Sequence, residues 1–95
     1  MSRTEEIRLV SVLVRCRNDA AFLVRTLDAI AAQECPFAHE VLVCDDGSTD
    51  GTDALLRARP EVRIVPRPAG AYRPGRTLNA LVRAARGEIV VFNNA

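Results

Sequence analysis

The stretch that most constrains the fold of this 95-residue chain is residues 41–53, which read VLVCDDGSTDGTD. An apolar run leads into two carboxylates and a glycine, and a serine, a threonine and a third aspartate follow. This order predicts a buried strand, a tight turn and the capped start of a helix. Open α/β sheets bind their ligands at the carboxyl ends of the strands. The pair Asp45 and Asp46 is therefore predicted to lie at a ligand-binding edge.

Apolar runs and helical periodicities alternate along the rest of the chain. Runs rich in β-branched and aliphatic residues predict four buried strands, at residues 7–14, 40–44, 62–65 and 88–92. A helix is predicted between each strand and the next. Strands joined by helices pair in parallel through right-handed crossovers. We therefore predict one three-layer α/β/α domain, residues 1–95, with a parallel sheet in the order 3-2-1-4.

Polar residues at the predicted helix starts are expected to act as caps. Asn18 or Asp19 is predicted to cap the first helix, and Thr49 or Asp50 the second. The third helix is predicted to run over residues 76–86 and to end at Gly87, since glycine readily adopts the left-handed conformation that ends helices.

The composition narrows the classes of function. Thirteen basic and twelve acidic residues give a net charge of +1, so no general field favours nucleic acid or an anionic membrane as partner. No apolar run approaches the length of a membrane span, and no transmembrane segment is predicted. Three cysteines without CxxC spacing indicate neither a zinc site nor a disulfide framework, which favours a reducing cytoplasm.

The two adjacent acids are the strongest candidates for binding a ligand. Carboxylates at a strand end can accept hydrogen bonds from the imide N–H of a base and from ribose hydroxyls, and Gly47 allows the turn. A purely structural alternative makes Asp46 a turn former and Asp50 a helix cap, but it does not account for two acids before the glycine. A calcium loop is excluded because its twelfth position is Arg57 instead of a glutamate.

Two further segments are predicted to reach the same edge of the sheet. Cys16 and Arg17 follow the first strand, where an arginine can stack on a base or pair with a phosphate. The alternative is that this arginine and Arg15 form ion pairs with the two acids. Arg76 stands at a helix start, a place suited to a diphosphate. The alternative there is a solvated loop with a helix cap provided by Thr77.

These features together resemble the amino-terminal half of the family 2 glycosyltransferases, which have the Rossmann-like GT-A fold. The resemblance covers almost the whole chain and is carried by DDGSTDGT, by the Gly-x-x-x-Asn turn at residues 75–79 and by ARGEIVVF at residues 85–92. It implies transfer of a sugar from a nucleotide-diphosphate donor to an acceptor hydroxyl, with inversion at the anomeric carbon.

Carried over by position, the resemblance assigns roles to individual residues. It implies that Asp46 binds the base with Asp45 in support, and that Cys16 and Arg17 lie beside the base pocket. It places Arg76 near the diphosphate.

The resemblance also implies a divalent cation, Mg²⁺ or Mn²⁺, held by an Asp-x-Asp motif after the fourth strand. Here Asn94 stands at the place of the first aspartate, and the chain ends at Ala95, before the second. The general base that deprotonates the acceptor is expected beyond the chain, so no catalytic residue is assigned. We expect this truncated domain to show no turnover by itself.

Two other classes of function remain open. A nucleotidyltransferase would need a glycine-rich phosphate loop after the first strand, but residues 15–19 contain no glycine, and neither GxGxxG nor a P-loop motif occurs. A non-catalytic interaction module would use the unpaired edge of the fourth strand, where a truncated sheet favours homo-oligomers.

Overall fold

Strands and helices alternate along the whole of the described chain. The computed structural model describes residues 8–33, 38–68 and 74–94. The elements in order are β1 Leu9–Cys16, α1 Ala20–Ala32, β2 Ala38–Asp45, α2 Thr52–Arg57, β3 Val62–Ile64, α3 Pro74–Ala84 and β4 Ile89–Asn94. Residue 7, predicted to begin the first strand, and Cys35 lie outside the described residues.

The four strands form one parallel sheet in the order β3-β2-β1-β4, which confirms the predicted topology. β1 lies inside the sheet, where Val12 pairs with Val41 of β2 on one side and with Val91 of β4 on the other. An inner parallel strand is covered on both faces. This placement accounts for the unbroken apolar run of β1.

Helices cover both faces of the sheet, so the predicted three layers are confirmed. On one face Val14 packs with Leu23 and Leu27 of α1, and on the other Leu13 packs with Leu81 of α3. All five side chains are buried. Burying one aliphatic side chain of this size contributes about 1.5–3 kcal/mol, so these contacts hold the two helices on the sheet.

The cap of α1 agrees with the prediction only in part. Asp19 occupies the N-cap position, but its side chain makes no capping hydrogen bond. The Asp50 carboxylate, which belongs to the loop after β2, accepts a hydrogen bond from the Ala20 N–H at 3.1 Å. Asn18 has a left-handed φ of 49°, and its side chain contacts the same loop. Asp19 is therefore the N-cap residue as predicted, but the acceptor for the first N–H of the helix is Asp50 and not Asp19.

The same aspartate also contacts the amino end of α2, but Gly51 occupies the N-cap position that was predicted for Thr49 or Asp50. One oxygen of Asp50 accepts hydrogen bonds from the Thr52 N–H at 3.3 Å and from the Thr52 hydroxyl at 2.5 Å. Gly51 occupies the N-cap position with φ 88°. The two carboxylate oxygens of Asp50 thus hold the amino ends of two helices.

Gly87 is needed for a reason other than the one predicted. α3 ends at Ala84, and positive φ is found in the described glycines Gly47 and Gly51 but not in Gly87. A Cβ on Gly87 would lie 2.7 Å from the Ser11 main-chain nitrogen and 2.9 Å from the Leu9 carbonyl oxygen. The predicted left-handed stop is therefore wrong, and glycine here permits close contact with β1.

β4 forms one edge of the sheet and exposes apolar side chains. Val91 is 45% exposed and Phe92 56% exposed. Cavities of about 290 and 230 Å³ lie beside α1 and are lined largely by apolar residues, including Val12, Ile30 and Val91.

Within the part of the chain that the structure describes, no helix has both the length and the apolar character needed to cross a bilayer.

Candidate functional site

The carboxyl ends of three strands meet at one edge of the sheet, as the sequence predicted. Cys16, at the end of β1, pairs with Asp45 at the end of β2. On the other side of β1, Arg15 pairs with Asn94 at the end of β4. The Val65 N–H donates to the Val43 carbonyl oxygen at 2.8 Å, which keeps the chain after β3 alongside β2. The chain segments after β1, β2 and β3 therefore leave the sheet at the edge where β4 also ends.

Asp45 orders the turn that follows β2. Its Oδ1 atom accepts a hydrogen bond from the Ser48 N–H at 3.2 Å and another from the Ser48 hydroxyl at 2.5 Å. Gly47, inside this turn, has φ 86°, a conformation that glycine adopts without steric cost. One oxygen of Asp45 is thus occupied by local structure, whereas the structural alternative had made Asp46 the turn former.

The turn is also joined to the loop after β1. The Asn18 N–H donates to Ser48 Oγ at 2.8 Å, and the Thr49 N–H donates to Asn18 Oδ1 at 2.7 Å. With the Asp50–Ala20 hydrogen bond, these contacts hold the two loops against each other. Ser48, Thr49 and Asp50 therefore have structural roles, and the turn is supported on both sides.

Asp46 has a different environment. Its side chain is only 2% exposed, and its main-chain N–H donates to the Cys16 carbonyl oxygen at 2.9 Å. Oδ1 accepts a hydrogen bond from the Thr77 hydroxyl at 2.6 Å, in buried surroundings. Oδ2 is buried and has no hydrogen-bond partner in the described ranges. Asp46 therefore offers one unsatisfied acceptor at the carboxyl edge.

The alternatives for the neighbouring residues can now be compared with the geometry. Thr77 lies within α3, and its hydroxyl donates to Asp46, so this side chain is not the helix cap that the alternative supposed. The four salt bridges Arg57–Asp53, Arg59–Asp28, Arg59–Glu61 and Arg63–Glu40 do not involve Asp45 or Asp46. The alternative in which Arg15 and Arg17 form ion pairs with the two acids stays open, because Arg17 does make an interaction.

Two residues reach the acid pair and its turn although no such contact was predicted from the sequence: Thr77, which was considered only as a helix cap, and Arg67. The Arg67 Nη1 atom lies 2.6 Å from the position that a Cβ on Gly47 would take. Arg67 follows β3, which neighbours β2. That strand order was itself predicted, and it is the signal that could have drawn attention to Arg67. For Thr77 the sequence carries no comparable signal, since only the docking of α3 brings it to β2.

The thiol of Cys16 is buried in the layer that contains α1. Burial, followed by the charge of Asp45, raises the pKa of Cys16 to about 12, while burial is also the main cause that raises the pKa of Cys44 to about 11. Cys44 belongs to the core on the opposite face. Neither thiol is therefore disposed to ionise, and a role for Cys16 beside a ligand stays a prediction.

Arg17 and Arg76 are exposed side chains near the edge. Arg17 follows β1 directly, and Arg76 lies in the first turn of α3. Arg76 lines a cavity of about 230 Å³ together with Pro68, Asn79 and Arg83. Neither this cavity nor the two beside α1 has Asp45 or Asp46 in its walls.

The described residues do not form a site for a divalent cation. They contain no group of three His, Cys, Asp or Glu side chains placed to hold a metal ion. Mg²⁺ and Ca²⁺ prefer several oxygen ligands, with carboxylates prominent among them. Asn94, at the end of β4, could contribute only a neutral amide oxygen. The residues at this edge thus do not fit a metal site by themselves.

The sequence profile described as Glycosyl transferase family 2 matches residues 11–95. The chain belongs to this family. The match includes β1, the acid pair and its turn, α3 and β4.

Individual relatives agree with this assignment. The family 2 chain is 34% identical over 93 residues to validoxylamine A glucosyltransferase of Streptomyces hygroscopicus subsp. jinggangensis, and 39% identical over 82 residues to the succinoglycan biosynthesis protein ExoO of Rhizobium meliloti. These alignments cover 94% and 82% of the chain. In both cases the chain spans only 22% of the relative's length.

Solved structures confirm the GT-A fold. The mannosyltransferase PcManGT from Pyrobaculum calidifontis, in complex with GDP-Man and Mn²⁺, matches with a TM-score of 0.78 and 34% identity, over 93% of this chain and 27% of the other. TarS of Staphylococcus aureus, residues 1–349 in complex with UDP-GlcNAc, matches with a TM-score of 0.78 and 29% identity, over 90% and 26%. The family 2 domain described here therefore has the architecture of nucleotide-sugar transferases.

Proposed function

We propose that this chain forms the donor-nucleotide-binding part of an enzyme that transfers a sugar from a nucleotide diphosphate to an acceptor hydroxyl, with inversion. The observation that carries the proposal is the buried Asp46 carboxylate, whose Oδ2 lacks a hydrogen-bond partner in the described ranges. A buried acceptor without a partner costs about 1–3 kcal/mol. A ligand that brings an N–H donor to this oxygen would remove that cost.

A nucleotide base with an imide or amide N–H is the ligand chemistry that suits Asp46. Uracil presents one such donor, and guanine presents an N–H beside an amino group. The carboxylate accepts hydrogen bonds but donates none when ionised. The similar solved structures contain GDP-Man and UDP-GlcNAc, which supports a uridine or guanosine nucleotide as the donor.

The remaining proposed contacts follow from position at the edge. Asp45 has one oxygen committed to Ser48, and we assign its second oxygen to a ribose hydroxyl. Arg17 follows β1 and Arg76 lies in the first turn of α3, and both side chains are exposed; we assign them to the base pocket and the diphosphate respectively. Cys16 is assigned only its main-chain contact with Asp46, because its thiol is buried.

A divalent cation, Mg²⁺ or Mn²⁺, belongs to this proposal only for the longer parent enzyme. The similar mannosyltransferase structure contains Mn²⁺, and in such an enzyme the metal would supply charge that stabilises the leaving diphosphate. The described residues of this chain do not fit a metal site. We propose that Asn94 is at most a weak ligand and that the 95-residue chain binds nucleotide but does not turn over a donor.

A second proposal concerns association and location. The exposed Val91 and Phe92 on the edge strand β4 favour self-association through this edge. The same edge would be the binding surface of a non-catalytic interaction module.

Cys16 and Cys44 are unpaired thiols on opposite faces of the sheet, which supports a cytoplasmic location. No observation in the described ranges favours the nucleotidyltransferase alternative.

Calorimetric titration of the purified chain with UDP and with GDP tests the proposed function. We expect one of the two to bind, and Asp46→Asn to weaken that binding by about tenfold or more, because the amide presents a weaker, uncharged acceptor. Asp53→Asn is the matched control, since Asp53 is exposed and pairs with Arg57 on the surface of α2. Equal binding by wild type and Asp46→Asn, or no binding of either nucleotide, would contradict the proposal.

A further inference from the structure

We propose that Thr77 is a positioning residue for the nucleotide base, and that it acts through Asp46. Its hydroxyl holds Oδ1 of the carboxylate and thereby leaves Oδ2 as the acceptor for the N–H of the base. This inference rests on the function proposed above. If Thr77 has this role, α3 contributes to recognition of the base together with the carboxyl end of β2.

The contact between the two residues is short, buried and charge-assisted. Thr77 is 2% exposed, and its hydroxyl lies 2.6 Å from Asp46 Oδ1. A hydroxyl has a single proton to donate, so the bond to Asp46 commits the Thr77 donor fully. Hydrogen bonds to ionised acceptors are about twice as strong as those between neutral groups.

Asp46 is held at two points. The main-chain N–H donates to the Cys16 carbonyl oxygen at 2.9 Å, which fixes the backbone beside β1. The terminal torsion of an aspartate is otherwise broad and nearly two-fold, so a carboxylate can rotate and exchange its oxygens. The Thr77 hydroxyl restricts this rotation.

The helix that carries Thr77 favours the same arrangement. Thr77 lies in the first turn of α3, Pro74–Ala84, where the unpaired main-chain N–H groups create a partial positive charge. No acidic residue of α3 itself lies in that turn. The Asp46 carboxylate supplies the negative charge from β2, and an acceptor oriented before binding loses less entropy when the base arrives.

Nucleotides that differ only in the N–H of the base can distinguish a positioning role of Thr77 from a role in stability alone. A residue that only stabilises the fold changes the affinity for all nucleotides alike. A residue that orients Asp46 toward the base N–H changes the preference for a nucleotide that has this N–H over one that lacks it. UDP against N3-methyl-UDP, and GDP against N1-methyl-GDP, provide the two matched pairs of probes.

The experiment titrates both pairs into the wild-type chain, Thr77→Ser and Thr77→Val, with circular dichroism to confirm folding. For the pair whose parent nucleotide binds, we expect wild type and Thr77→Ser to prefer it by about ten- to a hundredfold. Thr77→Val keeps the shape but lacks the hydroxyl, so it should lose most of this preference and retain its affinity for the methylated nucleotide. Thr77→Ala is the substitute without a hydroxyl if the valine variant does not fold.

The outcomes separate the two proposals. An unchanged preference in a folded variant that lacks the hydroxyl would overturn the positioning role and leave the proposed nucleotide site intact. Loss of the preference in a folded Thr77→Ser chain would also overturn it, because serine keeps the donor. Failure of the wild type to bind either UDP or GDP would instead refute the proposed function, and this inference with it.

Discussion

Ser11 and Gly87 are in contact although 76 residues separate them: the Gly87 N–H donates to Ser11 Oγ at 2.8 Å. The Ser11 hydroxyl in turn donates to Glu40 Oε2 at 2.6 Å, and the same oxygen accepts the Arg86 N–H at 2.7 Å. These bonds join β1, β2 and the turn after α3 near the amino end of the sheet. The connection closes the domain at the end opposite to the proposed site.

Ser11→Ala should destabilise the chain without altering nucleotide binding. The change removes an acceptor from the Gly87 N–H and a donor from Glu40, in a place where Ser11 is fully buried. Leaving buried polar groups unsatisfied costs about 1–3 kcal/mol. Urea unfolding followed by circular dichroism measures this loss, and titration with UDP and GDP checks that affinity is retained. A variant as stable as wild type would show that the network contributes little.

The stability of the folded chain should decrease at acidic pH because of Glu40. Burial raises the pKa of its carboxyl, but the hydrogen bonds from Ser11 and the Arg86 N–H, with the charge of Arg63, outweigh burial and lower it below the ordinary 4.5. A lowered pKa in the folded state means that the stabilisation is complete above about pH 4.5 and is lost as the pH falls below it. Urea midpoints measured from pH 6 to pH 3 should fall more steeply for wild type than for Glu40→Gln. Parallel curves would contradict this.

Gly47→Ala should destabilise the chain because the φ of this residue is 86°. A left-handed conformation costs a residue with a Cβ about 1–2 kcal/mol, and the Arg67 guanidinium would also have to move. Gly75→Ala is the matched control, since no heavy atom lies within 4 Å of the position that its Cβ would take and alanine favours helices. Differential scanning calorimetry should show a lower midpoint for the first variant and no decrease for the second. Equal midpoints for the two variants would contradict the strain assigned to Gly47.

Asp50→Ala should lower the thermal midpoint by weakening the amino ends of both α1 and α2. The hydrogen bond from the Thr52 hydroxyl, with those from the Thr52 and Ala20 N–H groups, lowers the pKa of Asp50 below 3.8. Its stabilisation is therefore present above that pH and is lost as the pH falls below it. Asp19→Ala is the control, since Asp19 makes no capping bond. Equal effects of the two variants at pH 7 would refute the assignment of Asp50.

Cys16 and Cys44 should react slowly with thiol reagents in the folded chain. Burial raises the pKa values of these thiols to about 12 and about 11, so the reactive thiolate is scarce near pH 8. The variant Cys35→Ser removes the third cysteine from the measurement. Ellman's reagent should react slowly with this variant until urea is added, whereas rapid reaction of either thiol in native buffer would contradict the buried placement.

The type and order of the elements could be predicted because β1 and β2 are covered on both faces, and strands buried in this way have continuous apolar sequences. The acid pair at the end of β2 was predicted for a similar reason, since parallel strands end at one edge. The capping hydrogen bond of α1 could not be predicted, because its acceptor, Asp50, lies 30 residues from Ala20. Gly87 was misinterpreted because its constraint comes from β1 and not from its own turn.

The contacts of Asp46 also show where prediction from sequence ends. Its adjacency to Cys16 follows from strand order alone, but its bond to Thr77 depends on the depth at which α3 packs against β2. Helical periodicity predicts which face of α3 is buried, but it does not predict which polar side chain on that face contacts the end of β2. Such contacts are set by packing between elements.

The inner position of β1 has a consequence for synthesis on the ribosome. β1 emerges before the other three strands, and β2 can pair with it soon afterwards, whereas its other neighbour, β4, begins at Ile89. Until that strand emerges, one flank of a hydrophobic strand presents unpaired main-chain groups to other nascent chains. The time taken to translate the segment between α2 and β4 therefore sets how long this flank of β1 stays unpaired.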